Sequence, residues 1–549
     1  MRFFKFLVVI TIGIFFTYNL SNSCTNYLIT KGASVDGSTM ITYNADAGGF
    51  MEPLRFHPPA DYKEGDSLEI YDWDSGKYLG KIKQVLHTYS VIGNMNEFQV
   101  SIGETTFGGR PELQDTTAIM DYGSLMYIAL QRAKTAREAI KVMTDLVAEY
   151  GYYSHGESFS VADANECWIL EMLGKGTEER GAVWAARRIP DGYVAAHANQ
   201  ARIREILVND AENCLYGKDI MSFAKKKGWW NPDSAKFSFA DVYAPLEPGA
   251  LLFCEGRVWR FFTRIAPSQT FDTAYWRAVK GAEPYPLFIK PDKKVSVADV
   301  ISLMRDHFED TPYDMTKGLA AGPFGCPVRW KGLTWKIGGD TVNNYAWERP
   351  VSTQQTAFAF VSQMRSFLPN EIGGCFWYGV DDNYTNVYMP LYCCMTRTPA
   401  SYSFGSIKEF SFESAFWVFN LVANLAYTKY SFIYKDIQPV QQEIESKFFA
   451  VQPAIEQAAM TLYKTDKKLA IDFLTNYSVN EAEAVVDHWQ ELWKSLVVKY
   501  NDGYINDINV NNGRSPKSSF YGDDYLKEII KEKPGYYDLK WNEKGKPNP

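Results

Sequence analysis

The chain has 549 residues, of which 46% are hydrophobic and 22% are charged. This composition is typical of a globular protein and excludes disorder, collagen and coiled coil as descriptions of the whole chain. The 65 acidic residues outnumber the 57 basic ones, so the overall charge does not favour binding to nucleic acid or to an anionic membrane. Eight cysteines are too few for a disulfide scaffold in a chain of this length.

The first 23 residues predict a secretory signal that is removed. Arg2 and Lys5 precede an apolar run over residues 6–16, and the small residues Ser21 and Ser23 follow it. The run is too short to span a bilayer. We therefore expect cleavage after Ser23 and a bacterial protein that is periplasmic or secreted. The loss of two basic residues leaves 55 against 65 acidic ones, a net charge of −10.

Cleavage after Ser23 makes Cys24 the first residue of the mature chain. A terminal cysteine carries an α-amine that titrates near 7.7–8.0 and a thiol that titrates near 8.5, so the amine can accept the thiol proton at neutral pH. Two other interpretations stand beside this nucleophile. In the first, Cys24 is the acylated cysteine of a lipoprotein, although Ser21 stands where such signals carry a leucine-like residue. In the second, Cys24 is simply the first residue of a strand.

The residues after Cys24 predict a β-hairpin. The β-rich segment 25–30 leads into a turn over 31–38 with an Asp-Gly pair, and a second strand covers 39–43. Because a hairpin returns the end of its second strand to the start of its first, Asp46 is expected beside the α-amine of Cys24. The alternative is that Asp46 caps the following loop.

Further along the chain, helix and strand patterns alternate in blocks. Thr135 and Glu138 predict a capping box that opens a helix. Segments 158–162 and 167–173 predict one hairpin, and segments 183–189 and 193–198 predict another. Hairpins flanked by amphipathic helices indicate an α+β architecture.

Beyond about residue 400 the pattern becomes mainly helical. The apolar segment 415–427 contains Asn420 and Asn424, which indicates a buried helix and no membrane span. A second helix is predicted from one apolar face, formed by Val485, Trp489, Leu492, Trp493 and Leu496. We expect this extension to cover the sheets and to offer a contact for a homo-oligomer.

Several segments in this order resemble the cysteine dipeptidases of peptidase family C69, which are N-terminal-nucleophile hydrolases. The resemblance covers most of residues 24–400. The matching segments are Cys24-Thr25-Asn26, Lys31-Gly32-Ala33-Ser34 with Asp36-Gly37-Ser38, Asn44-x-Asp46, Glu104–Arg110, Asp121-Tyr122, Thr135–Ile140, Tyr150-Gly151-Tyr152, Gly156–Phe159, Arg188–Gly192, Ala198-Asn199-Gln200 and Arg257–Arg260.

The resemblance implies an αββα sandwich of two antiparallel sheets between helical layers, with the nucleophile at a strand end. It assigns Cys24 as nucleophile, Asp46 as the partner of the terminal amine and Asn199 as a donor near the oxyanion. Tyr43 departs from many relatives, which have an arginine at this point. Arg257, Arg260 or Arg264 could supply that guanidinium instead, although such arginines are more often structural.

A dipeptidase must also bind both ends of a small peptide. Glu104 is the candidate acceptor for the substrate amine, and Arg110 is the candidate partner for the substrate carboxylate. A surface carboxylate and a loop arginine are the alternative interpretations of these two residues. The sequence contains no metal-binding motif, and we expect no metal and no other cofactor.

The sequence thus predicts a signal peptide over 1–23, a catalytic domain over 24–404 and a mainly helical extension with a loose polar tail over 405–549. The expected function is hydrolysis of dipeptides through a thioester on Cys24. An amidase that acts on N-acyl compounds is the alternative within the same fold. A lipid-anchored surface binding protein with an acylated Cys24 is the alternative from another class.

Overall fold

The computed structural model describes residues 24–537 except 234, 247, 331–332, 341, 343–344, 508 and 511–514. The predicted signal peptide and residues 538–549 lie outside the described residues. The described strands are short to medium in length, and in chain order they are β1 (Asn26–Ile29), β2 (Thr39–Asp46), β3 (Phe56–His57), β4 (Ala60–Asp61), β5 (Ser67–Tyr71), β6 (Tyr78–Lys83), β7 (His87–Thr88), β8 (Val91–Ile92), β9 (Met95–Asn96), β10 (Ser101–Thr106), β11 (Glu157–Ala162), β12 (Cys167–Gly174), β13 (Ala182–Arg188), β14 (Val194–His197), β15 (Cys214–Tyr216), β16 (Phe288–Ile289), β17 (Thr334–Trp335), β18 (Tyr345–Ala346), β19 (Thr356–Met364), β20 (Cys375–Val380), β21 (Met389–Tyr392), β22 (Ile505–Asn506) and β23 (Pro516–Lys517).

The longest helices lie at the C-terminal end of the chain. The described helices are α1 (Tyr122–Arg132), α2 (Ala136–Tyr150), α3 (Ile220–Lys226), α4 (Phe239–Tyr243), α5 (Pro248–Ala250), α6 (Gly256–Ile265), α7 (Val297–Met304), α8 (Asn370–Gly373), α9 (Ala400–Ser403), α10 (Ala415–Thr428), α11 (Tyr430–Thr465), α12 (Lys467–Lys499) and α13 (Asp523–Glu532). A π-helical turn over Leu251–Glu255 precedes α6.

Two antiparallel sheets form the centre of this α+β protein. The first has the order β16-β14-β1-β2-β19-β20-β21, and the second has the order β15-β13-β12-β11-β10-β9-β8-β3. Strand β2 packs against β10, β11 and β12, while α1 and α2 pack on the second sheet and α10–α12 contact β20 and β21 of the first. Every residue of β1 and β2 is buried, as expected of strands that are covered on both faces.

The hairpin predicted after Cys24 is present. Leu28 pairs with Ile41, and a bridge between Thr25 and Asn44 brings the end of β2 beside the residue that follows Cys24. The predicted helix is also present as α2, with the Thr135 side chain accepting from the Glu138 backbone N–H. The Glu138 carboxylate binds the Lys134 N–H, so the predicted capping box is formed on one side only.

Of the two hairpins predicted between residues 158 and 198, only the first is present. All of β11 pairs with residues 167–172 of β12. The second prediction was wrong: β13 pairs with β12 and β15 in one sheet, whereas β14 pairs with β1 and β16 in the other. The turn at Pro190–Gly192 therefore connects the two sheets, since both edges of β13 already have partners.

The C-terminal region is mainly helical, as predicted. Helix α12 buries four of the five residues that define its apolar face, Val485, Trp489, Leu492 and Leu496. Helix α10 covers the apolar segment that was predicted to be a buried helix. None of the described helices is long and apolar enough to cross a membrane.

Candidate active site

Cys24 lies two residues before the start of β1 and is 5% exposed. Its Sγ is 3.6 Å from Glu104 Oε1 and 3.8 Å from Tyr43 Oη, and the Tyr43 hydroxyl donates to the same Glu104 oxygen at 2.5 Å. Strand pairing supplies Tyr43 from β2, and packing of the sheets supplies Glu104 from β10. Gly103 permits this close packing, because a Cβ at that position would lie 3.0 Å from the Cβ of Tyr43.

The surroundings of the Cys24 thiol oppose its ionisation. Burial raises the pKa of the thiol well above its ordinary value, and the negative charges of Glu104 and Asp46 raise it further. The backbone of Asp46 and the Tyr43 hydroxyl lower the pKa in part through hydrogen bonds. A thiol in these surroundings ionises only when a nearby group accepts its proton.

A pair of carboxyl groups lies next to the thiol. Strand register places Thr106 opposite Glu157, and side-chain alternation puts Glu104 on the same face as both. Thr106 Oγ1 donates to Glu157 Oε1 at 2.7 Å. The two carboxyl groups lie close enough to share a hydrogen bond when one of them is protonated. Burial first, and then the charge of Glu104, raises the pKa of Glu157 well above its ordinary value. The pKa of Glu104 is raised as well, chiefly by burial, so the pair favours one shared proton.

Arg257, on α6, holds the backbone of Cys24 from the other side. Its Nη1 donates to the Cys24 carbonyl oxygen at 2.6 Å and to Thr25 Oγ1 at 2.7 Å. Its Nη2 donates to Asn199 Oδ1 at 2.9 Å. The π-helical turn before α6 precedes this fully buried arginine by two residues. Of the three arginines considered from the sequence, Arg257 is the one that contacts the Cys24 backbone.

The other two arginines of α6 bind an aspartate instead. Arg260 Nε donates to Asp306 Oδ1 at 2.7 Å, and Arg264 Nη1 donates to Asp306 Oδ2 at 3.0 Å. Arg260 Nη2 also donates to the Glu309 carbonyl oxygen at 2.6 Å. These contacts tie α6 to the loop after α7, which is the structural role that arginines in such a stretch usually have.

Asn199 follows β14 in the left-handed conformation, with a φ of 59°. Asparagine tolerates this conformation better than most residues. Its Nδ2 donates to the Thr106 carbonyl oxygen at 2.7 Å while its Oδ1 accepts from Arg257. An amide nitrogen carries two N–H groups, so one donor remains for a substrate oxygen. Arg257 thus links the two residues, because it donates both to Asn199 Oδ1 and to the Cys24 carbonyl oxygen.

Asp46 is fully buried at the end of β2, and both its side-chain oxygens bind protein groups. Oδ2 accepts from Arg349 Nη2 at 3.0 Å, and Oδ1 accepts from Thr356 Oγ1 at 2.6 Å. Burial raises the pKa of Asp46 to about 6, against the opposing effect of Arg349. Its predicted contact with the terminal amine stays a prediction. Sequence reasoning missed Arg349, because no local motif marks a residue 303 positions away from its partner.

His197 is buried near the site but is engaged elsewhere. Its Nδ1 is 2.7 Å from Thr105 Oγ1, and its Nε2 is 2.8 Å from Ser160 Oγ. Burial lowers the pKa of this imidazole to about 3. His197 is therefore neutral and joins the two sheets, and its hydrogen bonds leave no free nitrogen for the thiol.

Arg110 lies in the loop after β10, the strand that carries Glu104. Its Nε donates to the Val242 carbonyl oxygen at 2.6 Å, and its guanidinium lies 4.7 Å from the ring centre of Trp229. It lines a small cleft together with Gly108, Ser154 and His155. No group of three or more histidine, cysteine or acidic side chains within the described ranges could hold a metal ion.

These features describe a buried thiol at a strand end, surrounded by carboxyl groups and an arginine. The profile of peptidase family C69 matches residues 23–443, and the chain belongs to this family. Relatives include a probable dipeptidase of Salmonella dublin, 27% identical over 67% of this chain and 81% of the relative. Dipeptidase A of Lactobacillus helveticus is 25% identical over 81% of this chain and 88% of its own length. A dipeptidase of Bifidobacterium longum is 24% identical over 73% and 77%.

Proposed function

We propose that the mature chain is a secreted or periplasmic cysteine-type dipeptidase that begins at Cys24. The observation that carries this proposal is the 3.6 Å separation of the Cys24 Sγ from Glu104 Oε1. In a peptide, the α-amine nitrogen is only about 2.5 Å from the carbonyl carbon of the same residue, by ordinary bond lengths and angles. A carboxylate that contacts the nucleophile therefore suits a substrate whose free amine belongs to the same residue as the attacked carbonyl.

The reaction uses the terminal amine of Cys24 as its proton carrier. The amine takes the thiol proton as Sγ attacks the peptide carbonyl, which forms the carbon–sulfur bond and an oxyanion. Removal of residues 1–23 creates this amine on the same residue as the thiol. His197 is engaged with Thr105 and Ser160, which is consistent with a mechanism that uses no imidazole.

Asn199 and Arg257 support the remaining steps. The free N–H of Asn199 is a suitable donor for the oxyanion, and Arg257 fixes that side chain by its bond to Oδ1. Collapse of the intermediate breaks the carbon–nitrogen bond, and the α-ammonium protonates the leaving amine. Water then attacks the thioester while the amine accepts its proton, which frees the first amino acid and restores the thiol.

The fold that we propose is the αββα sandwich of N-terminal-nucleophile hydrolases. Its support is the packing of β2 against β10–β12 with helices on the outer side of each sheet. Asp46, held by Arg349, is proposed to orient the terminal amine. Arg110 is proposed to bind the substrate carboxylate, because it lines the cleft next to Gly156, which precedes Glu157.

Hydrolysis of free dipeptides and of their N-acetylated forms tests the function. We expect the purified mature protein to cleave the free forms at least about tenfold faster, because the acetyl group removes the charge that Glu104 binds. Faster cleavage of the acetylated forms would contradict the dipeptidase proposal and favour the amidase. A diacylglycerol on Cys24, detected by intact mass, would favour the lipid-anchored alternative.

A further inference from the structure

The Glu104–Glu157 pair contains two buried oxygen atoms that no protein donor satisfies. Oε1 of Glu104 accepts from Tyr43, and Oε1 of Glu157 accepts from Thr106. When both carboxyl groups are ionised, Oε2 of Glu104 and Oε2 of Glu157 are buried and have no donor among the described residues. Glu157 is 0% exposed and Glu104 is 2% exposed, so bulk water does not replace the missing partner.

Two carboxylates in contact cannot both stay ionised away from water. One proton between them satisfies the pair when the site is empty, and the result is a single negative charge. A protonated amine also offers N–H donors to both oxygens, and its charge allows both carboxylates to ionise. An acylated amine has one N–H and no charge, so it can replace neither the proton nor its charge.

We propose that Glu157, together with Glu104, forms the seat of the substrate ammonium group, and that Glu157 gives up its proton when that group binds. The proposal rests on the proposed dipeptidase function and adds to it a residue that selects a free amine. The balance is simple: one ammonium enters, one proton leaves to solvent, and the net charge of the site is unchanged.

Other ionisable groups face this pair and enter its proton balance. Tyr122 donates to Asp74 Oδ1 at 2.9 Å, and the charge of Asp74 raises the pKa of both glutamates. Cys24 from the segment before β1 and Tyr43 from β2 face the pair. The other groups that face it are Asp74 from the loop between β5 and β6, Tyr122 from α1, Tyr152 from the segment after α2, and His155 through its interaction with Asp74.

Calorimetric binding to the mature C24A protein tests the proposal without turnover. The ligands are a dipeptide of two small apolar residues and its N-acetyl derivative, measured at pH 7 in buffers with different enthalpies of ionisation. We expect the free dipeptide to bind at least about tenfold tighter and to release about one proton. In C24A/E157Q, we expect the preference to fall about tenfold and the proton release to disappear, while binding of the acetylated form changes less than about twofold.

Ser158→Ala provides the matched control, because Ser158 is the next residue on β11 and its side chain points to the opposite face. It should leave preference and proton release unchanged. If C24A/E157Q is poorly folded, Thr106→Val removes the donor that fixes Glu157 Oε1 and should weaken the preference in the same direction. Equal preference and proton release in C24A and C24A/E157Q would overturn the proposal. Faster hydrolysis of acetylated peptides by the unmodified enzyme would instead overturn the dipeptidase function, whatever Glu157 does.

Discussion

Cys24 and Cys167 are both buried cysteines, one just before a central strand and the other at the start of one, but their surroundings differ. The Cys167 Sγ contacts the Ile29 carbonyl oxygen at 3.6 Å, at the opposite end of β1 from Cys24. Burial raises the pKa of both thiols well above the ordinary value. Only Cys24 is in hydrogen-bond contact with an ionisable pair, Tyr43 and Glu104, and has its backbone held by an arginine. Burial is thus common to both thiols, and the contacts with Tyr43, Glu104 and Arg257 are what distinguish Cys24 from Cys167.

The largest effect is expected from Cys24→Ala. Removal of the nucleophile should lower kcat/KM by roughly 10³-fold or more, since no other group can form the thioester. The melting temperature should stay within about 2 °C, because the change removes one small atom beside an acidic pair. Dipeptide hydrolysis and a thermal melt check both effects. Residual activity above about a tenth of the original would show that Cys24 is not the nucleophile.

Insertion of one alanine between Ser23 and Cys24 turns Cys24 into an internal residue like Cys167. The thiol and the fold remain, but the amine moves to the added residue. We expect activity to fall roughly 10²- to 10³-fold, in the range that general base catalysis supplies. Mass spectrometry must show that the chain begins with the added alanine. Full activity of that protein would contradict the role of the terminal amine.

Arg257→Lys tests the group that holds the Cys24 backbone. Lysine keeps the charge but cannot bond the Cys24 carbonyl, Thr25 and Asn199 together, so activity should fall about 10- to 100-fold. Arg264→Lys is the matched control on the same helix, because Arg264 is partly exposed and binds Asp306. Steady-state kinetics of both variants should show less than about twofold change in the control. Equal losses would indicate that α6 acts only through stability.

Cys167→Ala should produce the smallest change in activity. We expect kcat/KM within about twofold and a loss of about 1–2 kcal/mol in the free energy of unfolding, from the small cavity left in the core. Denaturant unfolding measures the second effect. In native protein at pH 8, a thiol reagent should modify Cys24 and spare Cys167, whose pKa is raised by burial without an adjacent amine. Loss of activity in Cys167→Ala would break the distinction between the two cysteines.

The sequence predicted the parts of the site that depend on neighbours along the chain. The hairpin that brings Asn44 back to Thr25 follows from an Asp-Gly turn between two β-rich segments, and α2 follows from its cap and its apolar face. The position of Glu104 beside Cys24 agrees with its candidacy as a substrate-binding residue, although its role stays a prediction.

The features that sequence reasoning missed depend on packing between distant segments. Arg349, which binds Asp46, lies in the segment before β19, the strand that pairs with β2. Glu157 lies beside Glu104 because of the register between β10 and β11, which no local sequence pattern encodes. The turn after β13 resembles a hairpin turn, yet the chain crosses to the other sheet there because β1 offers β14 a free edge. Local patterns predict strands well, but the choice of partner strand is a property of the whole sheet.

The proposed role of Cys24 as an N-terminal nucleophile is tested most directly by mass spectrometry of the purified protein before and after partial alkylation with iodoacetamide. We expect a mature chain that begins at an unmodified Cys24 and carries a single label on that residue after alkylation. Dipeptide hydrolysis should be lost in proportion to the labelled fraction. A chain that begins elsewhere, a lipid on Cys24, or activity that persists after Cys24 is fully alkylated would contradict that role.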